Sequence, residues 1–352
     1  MKFSEYAFLN SLFFQFRKHL KDVFCGLTSS SSVMVCCSKN FVSSEHHCPH
    51  LEEEPKETAT CGRRFSTFSH IAGGNKTNPG DWPWMARLLY KDPRETFEKT
   101  TFCGGTLISR HHVVTAGHCI TEEVAPVAVA LGDSDVTTDY DCLDADFGCQ
   151  TNDAACATAE ECAPKHIEIA IRDIIIHNKY TSEDCFGCIP NYDVALIILE
   201  RPVTFTDFIQ PACLSNPTGT SKGPLVVTGW GNTMPGYGHL QSASILQEIN
   251  VDQVSLTECK EKWKPRLRDD LITSHMCASA GVEDSATCKG DSGGPLVRNI
   301  HFLKQIWELT GVVSFGTSTC GNVDYPLVFT RIEGEVNIWL RNLVGRDLPG
   351  HP

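Results

Sequence analysis

The sequence predicts an all-β fold with one closing helix and a small cysteine-bearing appendage at the amino end. Three observations predict it. Short apolar runs such as Met85–Tyr90, Phe102–Ser109 and Val113–Ala116 are separated by turn residues, the pattern of two antiparallel barrels. From Glu333 to Leu343 the chain reads as a closing amphipathic helix. Eighteen cysteines in 352 residues point to an oxidising compartment, hence to secretion or a vesicle lumen. The length suits one large domain with a small addition. A net charge of −13 argues against a nucleic-acid partner. No apolar run approaches membrane-spanning length, so no membrane partner is expected.

The stretch Cys288-Lys289-Gly290-Asp291-Ser292-Gly293-Gly294-Pro295 sets a serine among glycines. Small neighbours let another backbone approach Oγ, and the Gly290 and Ser292 amides can converge on one point. Two such donors would hold a developing negative oxygen, at roughly 3 kcal/mol each. Alone, the stretch reads as a solvated turn, but two others accompany it. Val113-Val114-Thr115-Ala116-Gly117-His118-Cys119 brings a histidine, and Asn191-Tyr192-Asp193-Val194-Ala195-Leu196 brings an aspartate. A serine hydroxyl needs a base, and a neutral imidazole needs an acceptor to set its tautomer.

With their flanks, these three motifs resemble the trypsin/chymotrypsin-like serine proteases over about residues 71–345. The resemblance implies two antiparallel six-stranded barrels closed by the carboxyl-terminal helix. It makes His118 the general base, Asp193 its orienting partner and Ser292 the nucleophile, with Gly290 and Ser292 forming the oxyanion hole. No metal or organic cofactor is implied in the chemistry.

At the amino end, Phe8, Leu12, Phe13, Phe16 and Leu20 fall at helical spacing, with Glu5 and Arg17-Lys18 interrupting the apolar run. Residues 1–20 read as an amphipathic helix rather than a signal peptide. Cys25-Gly26 followed by Val33-Met34-Val35-Cys36-Cys37 resembles the second half of the clip domain that precedes many arthropod serine proteases. That module has three further cysteines upstream, so residues 1–37 are expected to be a truncated clip module, missing a first exon and its signal peptide, rather than a decayed one. Residues 38–70 read as a linker and light-chain segment, in which His46, His47, Cys48 and His50 are expected to be solvated. Residues 346–352 form a tail.

In the family, the Ile-x-Gly-Gly start becomes a new amino terminus when the preceding bond is cut. Here that start is Ile71-Ala72-Gly73-Gly74, its ammonium would pair with Asp291, and the intact chain is expected to be a zymogen. The residue before the bond is His70 rather than Arg or Lys. An arginine-specific protease would cut at Arg63 or Arg64 and leave the wrong end. An activator of different specificity is therefore expected.

Asn75-Lys76-Thr77 is a glycosylation sequon, and His111 and His112 read as surface residues. Between Leu131 and Asp193 lies an insert with Cys142, Cys149, Cys156, Cys162, Cys185 and Cys188. It is acidic through Asp141, Asp144, Asp146, Asp153, Glu160 and Glu161. Up to three disulfides would pin it, and their pairing stays open. Calcium near Asp133 is a possibility that the resemblance raises. The resemblance also pairs Cys103 with Cys119, Cys259 with Cys277, Cys288 with Cys320, and Cys61 with Cys213 as the light-chain tether. One further family disulfide is missing at both ends, where Leu225 and Arg298 stand.

The resemblance puts Ala286 and Thr287 at the floor of the primary specificity pocket. A trypsin-like enzyme has Asp at the Ala286 position; Asp284 comes two residues too early and reads as a loop acid. Ser314, Phe315 and Gly316 form a wall that pairs with substrate backbone, and Leu327 replaces a usual glycine and shortens the pocket. A small or medium apolar side chain is expected before the cut bond. The expected function is a secreted cascade endopeptidase of immunity, melanisation or clotting. Its expected partners are a protein substrate such as another zymogen, an upstream activating protease and a serpin-type inhibitor. A digestive or venom endopeptidase is the alternative, disfavoured by the appendage. A non-catalytic homologue is disfavoured by the intact His118, Asp193 and Ser292.

Overall fold

Alternating apolar residues between turns become strands that close on themselves. The computed structural model describes residues 24–27, 33–35, 61–64, 75–91, 99–121, 124–142, 162–181, 188–219, 221–231, 242–280, 290–301, 304–317 and 324–349. The chain divides into two units, Met1–Glu57 and Thr58–Pro352. In the first, β1 (Phe24–Leu27) and β2 (Val33–Val35) form an antiparallel hairpin with Phe24 opposite Val35. The helix expected over residues 1–20 and the linker histidines lie outside the described residues.

The second unit opens with β3 (Asn75–Lys76), β4 (Met85–Lys91), β5 (Lys99–Leu107), β6 (His112–Thr115), β7 (Pro126–Leu131), β8 (Ile167–Ile176) and β9 (Ala195–Leu199). Six of these close into a barrel in the order β4-β5-β6-β9-β8-β7. There follow β10 (Cys213–Leu214), β11 (Leu225–Gly229), β12 (Gln247–Val254), helix α1 (Leu256–Trp263), β13 (His275–Ser279), β14 (Pro295–His301), β15 (Ile306–Phe315), β16 (Leu327–Arg331) and helix α2 (Gly334–Val344). The order β15-β14-β11-β12-β13-β16 closes a second six-stranded ring, because β16 also pairs with β15. β10 adds to it in parallel on β15, and β3 adds on β12. The expected pair of antiparallel barrels is therefore what forms.

One apolar core runs through both barrels. It joins Leu88, Val113, Leu196 and Ile197 to Val226, Val297, Leu309 and Val312, and α2 adds Val336, Leu340 and Val344. Each such side chain contributes about 1.5–3 kcal/mol by leaving water. β6 lies wholly inside this core, which corrects one expectation. His112 is buried, because every residue of a short interior barrel strand is covered. Its Nδ1 lies 2.7 Å from Ser109 Oγ, and burial pulls the imidazole below its ordinary value.

Disulfides join Cys61 to Cys213, Cys103 to Cys119, and Cys259 to Cys277. A fourth joins Cys142 to Cys162 and closes the neck of the acidic insert. Asp141 at that neck is buried rather than presented to solvent. It accepts hydrogen bonds from the Ser134 and Asp135 amides and the Thr138 hydroxyl. Cys188 is also disulfide-bonded, whereas Cys149, Cys156, Cys185, Cys288 and Cys320 lie outside the described residues.

The segment Cys61–Arg64 is built into the second unit. Gly62 has φ +74°, donates to Pro211 O at 2.7 Å and accepts from Trp307 N at 3.0 Å. A Cβ there would fall 2.3 Å from Trp307 O, so only glycine fits. The Arg64 guanidinium lies 4.1 Å over the Trp82 ring and 3.2 Å from Asp81, with its side chain 4% exposed.

Leu225 and Arg298 face each other directly across the β11–β14 pair. Arg298 is buried and donates to Ser221 O and Gln253 Oε1. Replacing both residues by cysteine should therefore form a disulfide, seen as no gain of free thiols in a thiol titration. It should raise Tm by several degrees, given the usual 2–4 kcal/mol of a disulfide. Two free thiols in the folded variant would refute this register.

Candidate active site

His118 sits in a short 3-10 turn, Gly117–Cys119, just after β6. The turn is held at its carboxyl end. Cys119 is bonded to Cys103 on β5, and Tyr90 Oη donates to Cys119 O at 3.0 Å. A Cβ on Gly117 would press on the Tyr180 ring at 3.0 Å, so the turn is packed as well as tethered.

Asp193 lies two residues before β9 and is 0% exposed. A buried carboxylate needs several donors, and this one has them. The His118 amide donates to Oδ1 at 2.8 Å, and His118 Nδ1 lies 2.7 Å from Oδ2. The Ser314 hydroxyl, at the end of β15, donates to Oδ2, and the Thr330 hydroxyl on β16 donates to the Asp193 carbonyl at 2.8 Å. Burial alone would pull His118 down, but the Asp193 hydrogen bond and charge outweigh it and hold the imidazole above its ordinary value. Burial would push Asp193 up, but His118 and Ser314 bring it below the ordinary carboxylate value. Sequence reasoning made Ser314 a backbone wall and gave Thr330 no role. Their bonds to Asp193 depend on pairing between strands far apart in the chain.

Ser292 is carried on a loop pressed into the first barrel. Gly104 N donates to Ser292 O at 2.8 Å, and Gly293 N donates to Val313 O at 2.9 Å. Gly290 has φ +104° and Gly293 φ +75°. A Cβ on Gly293 would sit 2.3 Å from Thr115 Oγ1 and 2.6 Å from Gly104 O, so the serine can approach β6 only with glycine beside it. His118 Nε2 lies 3.9 Å from Cys119 Sγ, and no hydrogen bond joins it to Ser292 among the described residues. Asp291 is buried. Its Oδ1 accepts from Gly231 N at 2.8 Å, and its carboxylate fills the space where side chains at Gly229 and Gly231 would project.

Leu327 Cδ2 reaches to 3.0 Å from where a Cβ on Gly316 would be, so it packs against the residue just past β15. Phe315 packs edge-on against Trp263 at 5.5 Å. Ala286, Thr287, Asp284, His70 and Ile71 lie outside the described residues. Asn75 is paired with Glu248 through β3, and the Thr77 hydroxyl donates to Leu246 O at 3.1 Å. Near Asp133, where the resemblance allows calcium, carboxylate oxygen Oδ2 is paired with the Arg87 guanidinium and lies 3.6 Å from His166 Nδ1. Cys103, His118 and Cys119 cluster closely, but the sulfurs are bonded to each other and offer no thiolate to a metal.

Residues 71–340 match the family model described as Trypsin. The chain belongs to the trypsin family. Among similar proteins, the spaetzle-processing enzyme of Drosophila melanogaster is 33% identical, covering 90% of this chain and 80% of that protein. Melanization protease 1 of Drosophila melanogaster is 30% identical over 89% of this chain and 78% of its own length. Phenoloxidase-activating factor 1 of Holotrichia diomphalia is 34% identical, over 80% and 71%. Neuropsin, a serine protease of mouse brain, has a solved structure that superposes with a TM-score of 0.58 over 78% of this chain and 100% of its own. At 23% identity that likeness speaks for the fold. This trypsin-family chain is a serine endopeptidase of the arthropod clip-protease type. Its disulfides belong to an oxidising, extracellular setting.

A general base works when neutral, so the rate should rise with pH through the His118 titration. The acid limb of kcat/KM in the active enzyme should lie above 6.5, the ordinary histidine value. Asp193→Asn should move that limb downward. It should also cut kcat by about 10⁴-fold, the size known for this exchange in Ser–His–Asp proteases. An unshifted limb and an undiminished kcat would remove Asp193 from the mechanism.

Proposed function

We propose that the chain is a secreted zymogen, activated by cleavage after His70, that cuts a protein substrate in an extracellular cascade. Ser292 attacks the scissile carbonyl, His118 takes and returns the proton, and Asp193 steadies the imidazolium. The Gly290 and Ser292 amides hold the oxyanion. The observation that carries this reading is the buried Asp193–His118 pair, set in the wall that the Ser292 loop presses against.

Activation follows from Asp291, which is buried beside the nucleophile. The ammonium freed at Ile71 is a suitable charge partner, and a buried carboxylate deprived of its partner costs about 3–5 kcal/mol. The position of Arg64 supports His70 as the cleavage point. With its side chain sealed between Asp81 and Trp82, Arg64 cannot enter an activator's pocket. The Cys61–Cys213 bond would keep the light chain attached after the cut. The activator is thus a protease that does not require arginine.

Substrate choice follows from Leu327, which occupies space toward Gly316, and from Ala286, which the resemblance puts at the pocket floor. A small or medium apolar side chain fits best, since arginine would meet no buried carboxylate. The names of the relatives, a melanization protease and spaetzle- and phenoloxidase-directed enzymes, support a substrate that is itself a proenzyme or proprotein. A serpin-type inhibitor and a glycan on Asn75 complete the proposal.

A peptide-library profile of the enzyme whose heavy chain begins at Ile71 tests this reading. Leucyl or alanyl substrates should be cut faster than arginyl ones. Leu327→Gly should raise kcat/KM for phenylalanyl substrates on the order of 10-fold. Faster arginyl turnover, or efficient release of Ile71 by an arginine-specific protease, would overturn it.

A further inference from the structure

The residue before Asp193 carries an unusual backbone. Tyr192 has φ +48°, a left-handed conformation that is an outlier for a bulky side chain. Asp193 itself is the middle residue of a tight three-residue turn, in which Val194 N donates to Tyr192 O at 2.8 Å. The direction in which the Asp193 side chain leaves the backbone is therefore set by how Tyr192 enters that turn. The turn is also tied sideways, because His177 N donates to Val194 O at 3.0 Å.

Such a conformation persists only when its surroundings over-determine it. Here they do. The Tyr192 ring stacks flat on His177, with centroids 4.9 Å apart and planes 6° from parallel. His177 is 3% exposed and meets Trp339 of α2 edge-on at 4.8 Å. Tyr192 Oη donates to Glu335 Oε2 at 3.0 Å, and Glu335 also pairs with Lys179. The Lys179 ammonium lies 5.3 Å from the Tyr192 ring, and the Lys179 amide donates to His177 Nδ1 at 3.2 Å. The first turn of α2 and the loop after β8 thus hold one ring from two sides. Among the described residues, no hydrogen bond joins this group to His118 or Ser292.

We propose that Tyr192 is a positioning residue for the reaction. Its strained backbone, locked by His177, Trp339 and Glu335, aims the Asp193 carboxylate at both the amide and Nδ1 of His118. This rests on the assignment of His118, Asp193 and Ser292 as the catalytic set. Without the ring lock, residue 192 relaxes toward an ordinary conformation and the turn rotates. The two hydrogen bonds from His118 then cannot both keep their geometry. The consequence belongs to the chemical step, because the substrate groove on β15 is untouched.

The test is steady-state kinetics of the full chain after cleavage at the 70–71 bond, with active sites counted by organophosphate labelling. Tyr192→Ala should lower kcat per labelled site by 10- to 100-fold, leave KM within about twofold, and shift the acid limb of the pH profile downward. Tyr192→Gly, which tolerates positive φ without the ring, should recover part of that kcat. Tyr192→Phe and His177→Phe keep the stacked rings and should stay within about threefold of the parent. If Tyr192→Ala is not secreted, His177→Ala and Trp339→Leu, which remove the stacked ring and its backing, give the same reading. Parental kcat and pH profile in Tyr192→Ala, or in both substitutes, would overturn the proposal. Asp193→Asn serves as the control. If it remains active, the catalytic assignment fails. If it is inactive while Tyr192→Ala is not impaired, only the role of Tyr192 fails.

Discussion

A fully buried carboxylate at the seam between two barrels is the constraint on which this molecule depends. Asp193 has no water to solvate it, so each of its oxygens must be met by a protein donor. Those donors come from the histidine turn after β6 and from Ser314 on β15, while Thr330 on β16 holds its carbonyl. The two barrels are thereby registered on one another by the same bonds that set the imidazole tautomer. Leaving such a charge unpartnered costs about 3–5 kcal/mol, a large share of a domain's stability. Folding and catalytic geometry are therefore secured by one network.

Close backbone approach does the rest. The serine loop reaches the first barrel because Gly293 leaves room for Thr115 and for the Gly104 carbonyl. Asp291 reaches inward because Gly229 and Gly231 leave room for its carboxylate. These glycines matter less for turn-making than for the atoms they omit. Any side chain there would push Ser292, or the acid beside it, off the seam. Leu327 makes the opposite use of volume, its side chain filling space toward Gly316.

Segments outside the barrels are also integrated by specific bonds. Cys61–Arg64 is joined by a disulfide, two backbone hydrogen bonds and a guanidinium stacked on Trp82. An arginine that looks like an obvious cleavage point is thereby a packed structural element. Where Leu225 faces Arg298, strand pairing and the hydrogen bonds of the guanidinium stand in place of a covalent bond.

Much of this was legible in the order of residues. His118, Asp193 and Ser292 stand out because a hydroxyl nucleophile, a base and an orienting acid are chemical necessities with few substitutes. The barrel strands stand out because alternation and turn residues are local properties. Other features were hidden because they depend on neighbours distant in the chain. His112 looked exposed until β6 was placed between β5 and β9. Asp133 gave no sign of its pairing with Arg87, which comes from β4. Tyr192 gave no sign of strain, since only His177 and α2 together hold it there. What the amino-acid order determined by itself was the reaction chemistry and the class of fold, both of which rest on residue type and local period. What only the tertiary structure decided was which charges are buried and which donors meet them. Burial and hydrogen-bond partnership come from long-range packing, which no local pattern encodes.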